Sequence, residues 1–408
     1  MRGRGKTRNM QQRWKGLAES KKQKLLTAGI LFLLAPFFEP GYVSLCAPLA
    51  RVFYNAGEVL STLIVLGLFL WNAAKKRRLS AAAITLIVLE GWMSVDILLQ
   101  QGVSKAAFLD VISVLAVCML IETMVSREHA TELLRAFLLL YEILIGINLL
   151  TMIIWPDGLY FTPSEGWDNW FLGYRNMFLF YFAPALALEL LNGHRSGKAT
   201  RMNVMVIVCT VSMALSGSAT GMIGILIFDA LYITRLYRWR GCNILSVSIA
   251  ALIAHVSIVL LNVQQFLAPL FALIGRSVTF TGRTEIWARM IGLIKESPIV
   301  GYGMQSDEVR GEVSGLWSGV KAHNLFLEQQ YCFGVIGTVL LLCFLGVSAY
   351  LLYKNRKHPY ACALCMGMIA YHILMLMESH INQVPMYSFF YIACFVEQFI
   401  RQMPAAKS

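Results

Sequence analysis

The sequence predicts an all-α fold, a polytopic integral membrane helical bundle of about 12 transmembrane helices with a long extracytoplasmic loop before the tenth span. The first observation is composition: of 408 residues, 57% are hydrophobic and 14% are charged, whereas soluble domains carry roughly 25% charged residues. The second is that the apolar residues form runs bounded by charge, Gly or Pro. The third is that basic clusters recur after every second run, as the positive-inside rule requires.

The apolar runs give the elements in order. The first run follows a strongly basic start and lacks a small-residue cleavage site after it, so we predict an uncleaved first span rather than a signal peptide. Only Ser216, Gly217 and Ser218 separate the seventh run from the eighth. The predicted spans are 25–38, 57–74, 81–99, 106–125, 136–155, 172–191, 202–216, 219–236, 244–262, 325–352, 361–377 and 386–400.

These runs divide the chain into five segments. We expect a basic N-terminal tail (1–24), spans 1–9 (25–262), an extracytoplasmic loop with an amphipathic helix (263–324), spans 10–12 (325–400) and a C-terminal tail (401–408). A loop of this length is too polar to span and too long for a simple connection, so it is the expected place of function.

The distribution of basic residues predicts the orientation. A formal net charge of +12 would also suit nucleic-acid binding, but no nucleic-acid-binding motif accompanies it. The connections predicted outside hold 9 of the 35 Lys and Arg residues, six of them in the long loop, and the tails and other connections hold 26. Both termini are therefore expected to be cytoplasmic, and no nucleic acid is expected as a partner.

The cysteines and acidic residues of the apolar runs give weaker signals. Cys362 and Cys365 have redox spacing, but they lie in a helical apolar pattern, which favours simple packing. Acidic side chains within spans are costly in lipid and are expected to face the interior of the bundle without an assigned role. They are Glu90, Asp96, Glu142, Glu189 and Glu378, together with the basic His255.

Aromatic residues crowd the segment 156–176, between the fifth and sixth spans. Such side chains can stack on sugar rings, or they can form the aromatic belt at a membrane interface, and the belt is the favoured interpretation.

The long loop contains a predicted amphipathic helix. It begins at Thr281 as N-cap and ends at Ser297-Pro298, since proline cannot continue a helix. We expect it to lie along the outer membrane surface. Arg283 stands in its first turn, where free N–H groups already favour anions, and its guanidinium fork suits phosphate. The alternatives are contact with lipid headgroups or an ion pair with Glu285.

His323 opens the tenth span. Positive charge is disfavoured at a helix N-terminus, so a neutral imidazole facing water is expected there, as a general base requires. The alternative is an interfacial histidine that only caps the span. Asn324 is expected either to orient a substrate or to cap the helix. No second His or Cys stands nearby at metal-ligand spacing, so neither a metal nor another cofactor is expected.

Several short motifs carry a family resemblance. They are Gly282-Arg283-x-x-Ile286-Trp287, Ser297-Pro298-x-x-Gly301-x-Gly303, His323-Asn324-x-Phe326-Leu327, Gly334 and Gly173-Tyr174-Arg175-Asn176. In order, spacing and predicted side of the membrane they resemble the signature block of the O-antigen ligase/polymerase superfamily. That superfamily includes Wzy-type polysaccharide polymerases, O-antigen ligases and teichuronic acid polymerases.

One position departs from that pattern. Many members carry Ser-Arg at the outer end of the turn between the seventh and eighth spans, where the Arg contributes to phosphate binding. Here the stretch 216–221 has no Arg, so the hydroxyls of Ser216, Ser218 and Thr220 or a cation such as Arg175 or Arg276 would have to serve. The resemblance thus implies His323 and Arg283 as catalytic residues. The expected substrate-binding residues are Arg175, Asn176, Arg276, Arg289, Asn324, Ser216 and Ser218.

The resemblance implies a multi-pass enzyme of the bacterial cytoplasmic (inner) membrane. It would move a glycan from an undecaprenyl-pyrophosphate-linked donor to the sugar hydroxyl of a lipid-linked acceptor, without a metal and with inversion, to build a capsule, an exopolysaccharide or an O-antigen. A flippase and a chain-length regulator of the same pathway are further candidate partners. The alternatives are an O-antigen ligase that uses another acceptor, a flippase or transporter of lipid-linked oligosaccharide, and a non-catalytic scaffold.

Overall fold

The computed structural model describes residues 3–76, 79–99, 105–162, 167–267 and 282–406. The described part is predominantly helical. Its α-helices are α1 (Gly3–Leu34), α2 (Gly41–Cys46), α3 (Pro48–Lys76), α4 (Ala81–Leu99), α5 (Lys105–Ser126), α6 (Ala130–Ile154), α7 (Phe178–Ser196), α8 (Thr200–Ser216), α9 (Ala219–Ile233), α10 (Ile244–His255), α11 (Arg283–Glu296), α12 (Asp307–Ser314), α13 (Leu325–Lys354), α14 (Pro359–Met377), α15 (Val384–Ala393) and α16 (Val396–Gln402).

Helices overlap every predicted apolar run. Within the described residues, six are long and apolar enough to cross a membrane, namely α3, α4, α5, α6, α13 and α14. Four shorter apolar helices accompany them: α8, α9, α10 with its continuation to Leu260, and α15. The chain is therefore a multi-pass helical membrane protein, while the count of about 12 spans stays a prediction.

A small β-sheet, which the sequence analysis did not predict, lies in the aromatic segment between α6 and α7. The strands β1 (Tyr160–Thr162), β2 (Trp167–Trp170) and β3 (Gly173–Tyr174) pair antiparallel in that order. Aromatic residues and threonine favour strands. Gly173 supplies the positive φ of 108° at which β3 begins. The sheet is tied to α2 by a hydrogen bond from the Tyr42 N–H to the Phe171 carbonyl (3.2 Å).

The interior is centred on α7 and α14, which pack along each other. Tyr371 is fully buried, and its hydroxyl donates a hydrogen bond to the Phe180 carbonyl. That carbonyl has no partner within α7, because Pro184, four residues later, lacks an N–H. Gly367 allows α14 to approach Ala187, since a β-carbon at Gly367 would stand 2.9 Å from the Ala187 side chain. The packing of α7 against α14 holds the C-terminal end of α14, which the site residues contact.

Helix α11 forms as expected and ends at Ser297. Its N-cap is Gly282, and the expected cap, Thr281, lies outside the described residues. Ile286, Trp287 and Met290 are almost completely buried. This apolar face packs on the protein, and the expected position of the helix along the outer membrane surface stays a prediction.

Helix α13 is broken at Gly334, whose φ of 61° and ψ of −164° are not helical. A β-carbon at Gly334 would stand 2.1 Å from the Ile299 carbonyl oxygen. The break frees backbone groups that the loop then satisfies: Tyr302 and Gly303 donate to the carbonyls of Tyr331 and Cys332, both at 2.8 Å. The long loop is thus anchored on α13 through its own backbone.

Candidate functional site

The carboxylate of Glu378, one residue beyond the end of α14, is the centre of a polar cluster. Arg283 places Nη2 3.0 Å from Glu378 Oε1, and Asn176 donates its side-chain amide to the same oxygen at 2.9 Å. His323 Nδ1 lies 3.7 Å from Oε2. Three residues expected to belong to the site therefore meet, although they come from three separate segments of the chain.

Arg283 also donates to the carbonyl of Met377, the last residue of α14. Carbonyls at a helix C-terminus have no partner within the helix and attract cations. The guanidinium accordingly bridges the end of α14 and the adjacent carboxylate, and its side chain is 15% exposed. Only two of its five N–H donors are used in these contacts.

The position of His323 is fixed through both backbone groups of the preceding residue, Ala322. Trp287 donates its indole N–H to the Ala322 carbonyl (2.9 Å), and the Ala322 N–H donates to Glu328 Oε2 (2.8 Å). His323 itself has a positive φ of 47°, a left-handed conformation that needs such support. Its side chain is 36% exposed, so the imidazole contacts Glu378 and remains reachable.

Asn324 caps helix α13. Its side-chain oxygen accepts from the Leu327 N–H (3.0 Å), and its amide donates to the Leu376 carbonyl (3.1 Å). Of the two roles expected for Asn324, the structure shows the cap, and any contact with substrate stays a prediction. The second bond joins the start of α13 to the last turn of α14, which brings His323 and Glu378 together.

A buried ion pair supports the same loop. Arg310 and Glu328 form a bidentate bridge with N–O distances of 2.7 and 2.8 Å, and both side chains are about 5% exposed. The Arg310 guanidinium also stacks over the ring of Tyr331, 4.6 Å from its centroid. Burial lowers the pKa of Arg310, but the charge of Glu328, its hydrogen bonds and the neighbouring Cys332 and Tyr331 together raise it more, so the pKa lies above its ordinary value. Sequence analysis did not single out this pair.

The turn between α8 and α9 joins the cluster through Ser218. Its hydroxyl donates to Asn176 Oδ1 (2.7 Å) and accepts from the Gly221 N–H (3.2 Å) as N-cap of α9. Ser216 donates to the Met213 carbonyl and accepts from the Ser218 N–H. Both serines are buried, so the hydroxyls expected to meet an anion are engaged with protein groups.

Arg175 lies beside this turn. Its Nη1 would be 3.7 Å from a β-carbon placed on Gly217, and its guanidinium lies 5.9 Å from the ring of Tyr174. A cation thus stands next to the turn in which the sequence lacks the family's arginine. Arg276, the other expected substitute, lies outside the described residues.

Arg289 lies one and a half turns further along α11 and points to the end of α12. It donates to the carbonyls of Ser314 (2.6 Å) and Val313 (3.4 Å). This contact stabilises a helix C-terminus. The substrate-binding role expected of Arg289 stays a prediction.

The electrostatics keep Glu378 ionised. Burial raises its pKa, but the interaction with His323 and the charges of Arg283 and His380 lower it more, so the pKa lies below its ordinary 4.5. His380, beside the cluster, has its pKa lowered to about 4, first by burial and then by the positive charge of Lys321. The site therefore presents an anionic carboxylate between a guanidinium and imidazoles.

Sequence analysis missed the role of Glu378, which appeared only as one of several acids in apolar runs. Its position two residues before His380 and at the end of a span was the available signal. A carboxylate that holds the Nδ1 side of an imidazole directs Nε2 outward and stabilises the imidazolium once a proton has been taken up. The geometry can support general-base chemistry next to a cation that binds anions.

Part of the chain is similar to known proteins. Residues 204–342 match the family model described as O-antigen ligase. The matched range includes Arg283, His323 and the turn that carries Ser218. The exopolysaccharide production protein ExoQ of Rhizobium meliloti (strain 1021) is 36% identical over 97 residues. That match spans 20% of this chain and only 22% of the length of ExoQ.

Proposed function

We propose, from the premise that this chain belongs to the O-antigen ligase/polymerase superfamily, that it is a polysaccharide polymerase of the bacterial inner membrane. The proposed donor is a glycan on undecaprenyl pyrophosphate, and the acceptor is a sugar hydroxyl of a second lipid-linked glycan. The product would be a capsule, an exopolysaccharide or an O-antigen. A flippase and a chain-length regulator of the same pathway are proposed partners.

The proposed reaction is a single displacement at the anomeric carbon. His323 Nε2 takes the proton of the acceptor hydroxyl while that oxygen forms a bond to the anomeric carbon. The bond from the anomeric carbon to the diphosphate oxygen breaks, and its electron pair leaves with the diphosphate. Arg283 binds the diphosphate with its remaining N–H donors as negative charge grows there, and Arg175 is the proposed second cation. Attack from the opposite face inverts the anomeric centre.

Glu378 is proposed as the positioning residue of this reaction. It contacts both the guanidinium of Arg283 and the Nδ1 side of His323, and it accepts a hydrogen bond from the side-chain amide of Asn176. The convergence of these side chains on one ionised carboxylate is the observation that carries the proposal. It distinguishes a built site from a cation and a histidine that merely lie at a membrane interface.

The test is reconstitution of the purified protein with a lipid-linked repeat unit, followed by sizing of the product. We expect long polymer from the wild type, whereas His323→Ala should lower turnover by about 10²–10⁴ and leave single repeat units unconsumed. His129→Ala is the matched control, because His129 is 39% exposed and also faces a glutamate, Glu132, at 4.0 Å.

The products separate the alternatives. Polymer of unchanged length from His323→Ala would contradict the assigned base. Transfer of a finished glycan to a different acceptor, without growth in length, would assign the chain to the ligases. Movement of the lipid-linked unit across the bilayer without any new glycosidic bond would point to a flippase.

A further inference from the structure

A second polar region lies apart from the Glu378 cluster, in a cavity of about 690 Å³ between α1, α6, α7 and the start of α8. Five basic side chains and no acidic one line it. They are Lys24, Arg135, Arg195, Lys198 and Arg201. So many cations in one concave site are costly unless an anion neutralises them.

Among the residues that the structure describes, carboxylates neutralise one of these five cations. Arg201 pairs with Glu142 Oε1 at 2.6 Å and with Glu189 Oε1 at 3.3 Å. Arg195 donates to the neutral side chain of Asn192, with the shorter bond at 2.9 Å. Within the described part of the chain, Lys24, Arg135 and Lys198 make no ion pair. Up to four positive charges therefore remain available in the cavity.

The cavity is also amphipathic. Leu31 and Leu139 line it beside the cations, and Leu139 is 39% exposed. The basic residues all come from segments predicted on the cytoplasmic side, namely the N-terminal tail and two connections. A phosphate with attached hydrocarbon chains can satisfy both kinds of lining at once.

We propose that this cavity binds the phosphate headgroup of an anionic phospholipid of the cytoplasmic leaflet, with an acyl chain against Leu31 and Leu139. The site is separate from the proposed reaction and does not depend on it. A free phosphate ion offers the same anionic chemistry but cannot use the two leucines, which is why we favour the lipid.

The test measures binding of phosphatidylglycerol and phosphatidylcholine to the purified, delipidated protein by native mass spectrometry. We expect phosphatidylglycerol to be preferred, and we expect the double variant Arg135→Gln/Lys198→Gln to bind it roughly 25-fold more weakly, at about fivefold for each basic residue near a lipid surface. Arg356→Gln/Lys357→Gln is the matched control, since it removes two exposed cations outside the cavity.

The outcomes differ clearly. Equal binding of both lipids, or unchanged binding by the double variant, would overturn the proposal. The variant Arg135→Lys/Lys198→Arg keeps both charges and should keep the preference. Thermal unfolding of both variants shows whether loss of binding in the first one reflects misfolding. Competition by millimolar inorganic phosphate would support the anion site but overturn the lipid as its occupant.

Discussion

At the scale of single residues, Arg283 has two directed contacts that a lysine cannot reproduce. Its fork reaches the Met377 carbonyl and Glu378 together and still has donors left for a diphosphate. An ammonium keeps the charge but lacks the planar fork. We expect Arg283→Lys to lower polymer turnover by about 10²–10³, measured by product sizing.

The control for that change is Lys295→Gln, which removes an exposed cation from the same helix. It should leave turnover at the wild-type level. Full turnover in Arg283→Lys would show that charge alone suffices and would remove the bidentate contact from the proposed mechanism.

Glu378 makes a prediction about stability and pH. Its pKa is lowered in the folded protein, so its ionisation stabilises the fold above the ordinary pKa of 4.5, and this contribution is lost as the pH falls through the lowered value. We expect Glu378→Gln to lower the unfolding temperature at pH 7 and the difference from wild type to shrink steadily below pH 5. Differential scanning fluorimetry in detergent measures it. A difference that grows on acidification would contradict the assigned ionisation.

At the scale of elements, the Arg310–Glu328 pair should act on the loop that carries His323. Removal of one member of a buried ion pair leaves an uncompensated charge and costs about 3–5 kcal/mol. We expect Arg310→Met to lower the unfolding temperature and turnover together, because Glu328 also holds the Ala322 N–H. The double variant Arg310→Met/Glu328→Leu should regain stability but not full turnover.

Unfolding temperature and turnover, measured on the same preparations, separate the two effects of that pair. If the double variant recovered both, the pair would support only the fold and would not position His323. If Arg310→Met left both unchanged, the buried bridge would have no measurable role.

The sequence predicted helices well and their interruptions poorly. Apolar runs suffice to place helices, since burial in lipid or protein imposes the pattern along each one. The break of α13 at Gly334 depends instead on the close approach of Ile299, thirty-five residues earlier, which no local pattern records. The same packing explains why a glycine of the motif is needed at position 301. Gly301 has a φ of 76°, and a β-carbon there would stand 2.5 Å from the Tyr331 carbonyl oxygen.

The site was predictable in part for a similar reason. Arg283 and His323 lie at helix starts within recognisable motifs, so the sequence alone was enough to predict them as site residues. Glu378 lies 95 residues from Arg283, and its importance appears only when the end of α14 meets the starts of α11 and α13. Asn324 and Ser218 illustrate a further limit, because only the contacts decided between the two roles expected of Asn324 and revealed that Ser218 is also a helix cap.

At the scale of the whole molecule, the charged residues discussed above form two separate groups, the Glu378 cluster and the basic cavity. The Glu378 cluster gathers residues from connections that the basic-residue count assigns to the outside. The basic cavity gathers residues from the tail and connections that the same count assigns to the cytoplasm. Each place draws on segments that are far apart in sequence but lie on the same predicted side, and which side faces the cytoplasm stays a prediction.

That orientation is testable with two single cysteines in a variant whose nine native cysteines are replaced. Lys295→Cys lies in the loop of the proposed active site, and Arg356→Cys lies in the connection between α13 and α14; both positions are exposed. A membrane-impermeant maleimide should label position 295 in intact spheroplasts and position 356 only after permeabilisation, because the positive-inside rule holds the basic connection in the cytoplasm. Labelling in the reverse order would place His323 and Arg283 in the cytosol. The lipid-linked substrate would then have to react before it crosses the membrane, and the proposed polymerase with its flippase partner would lose its physical basis.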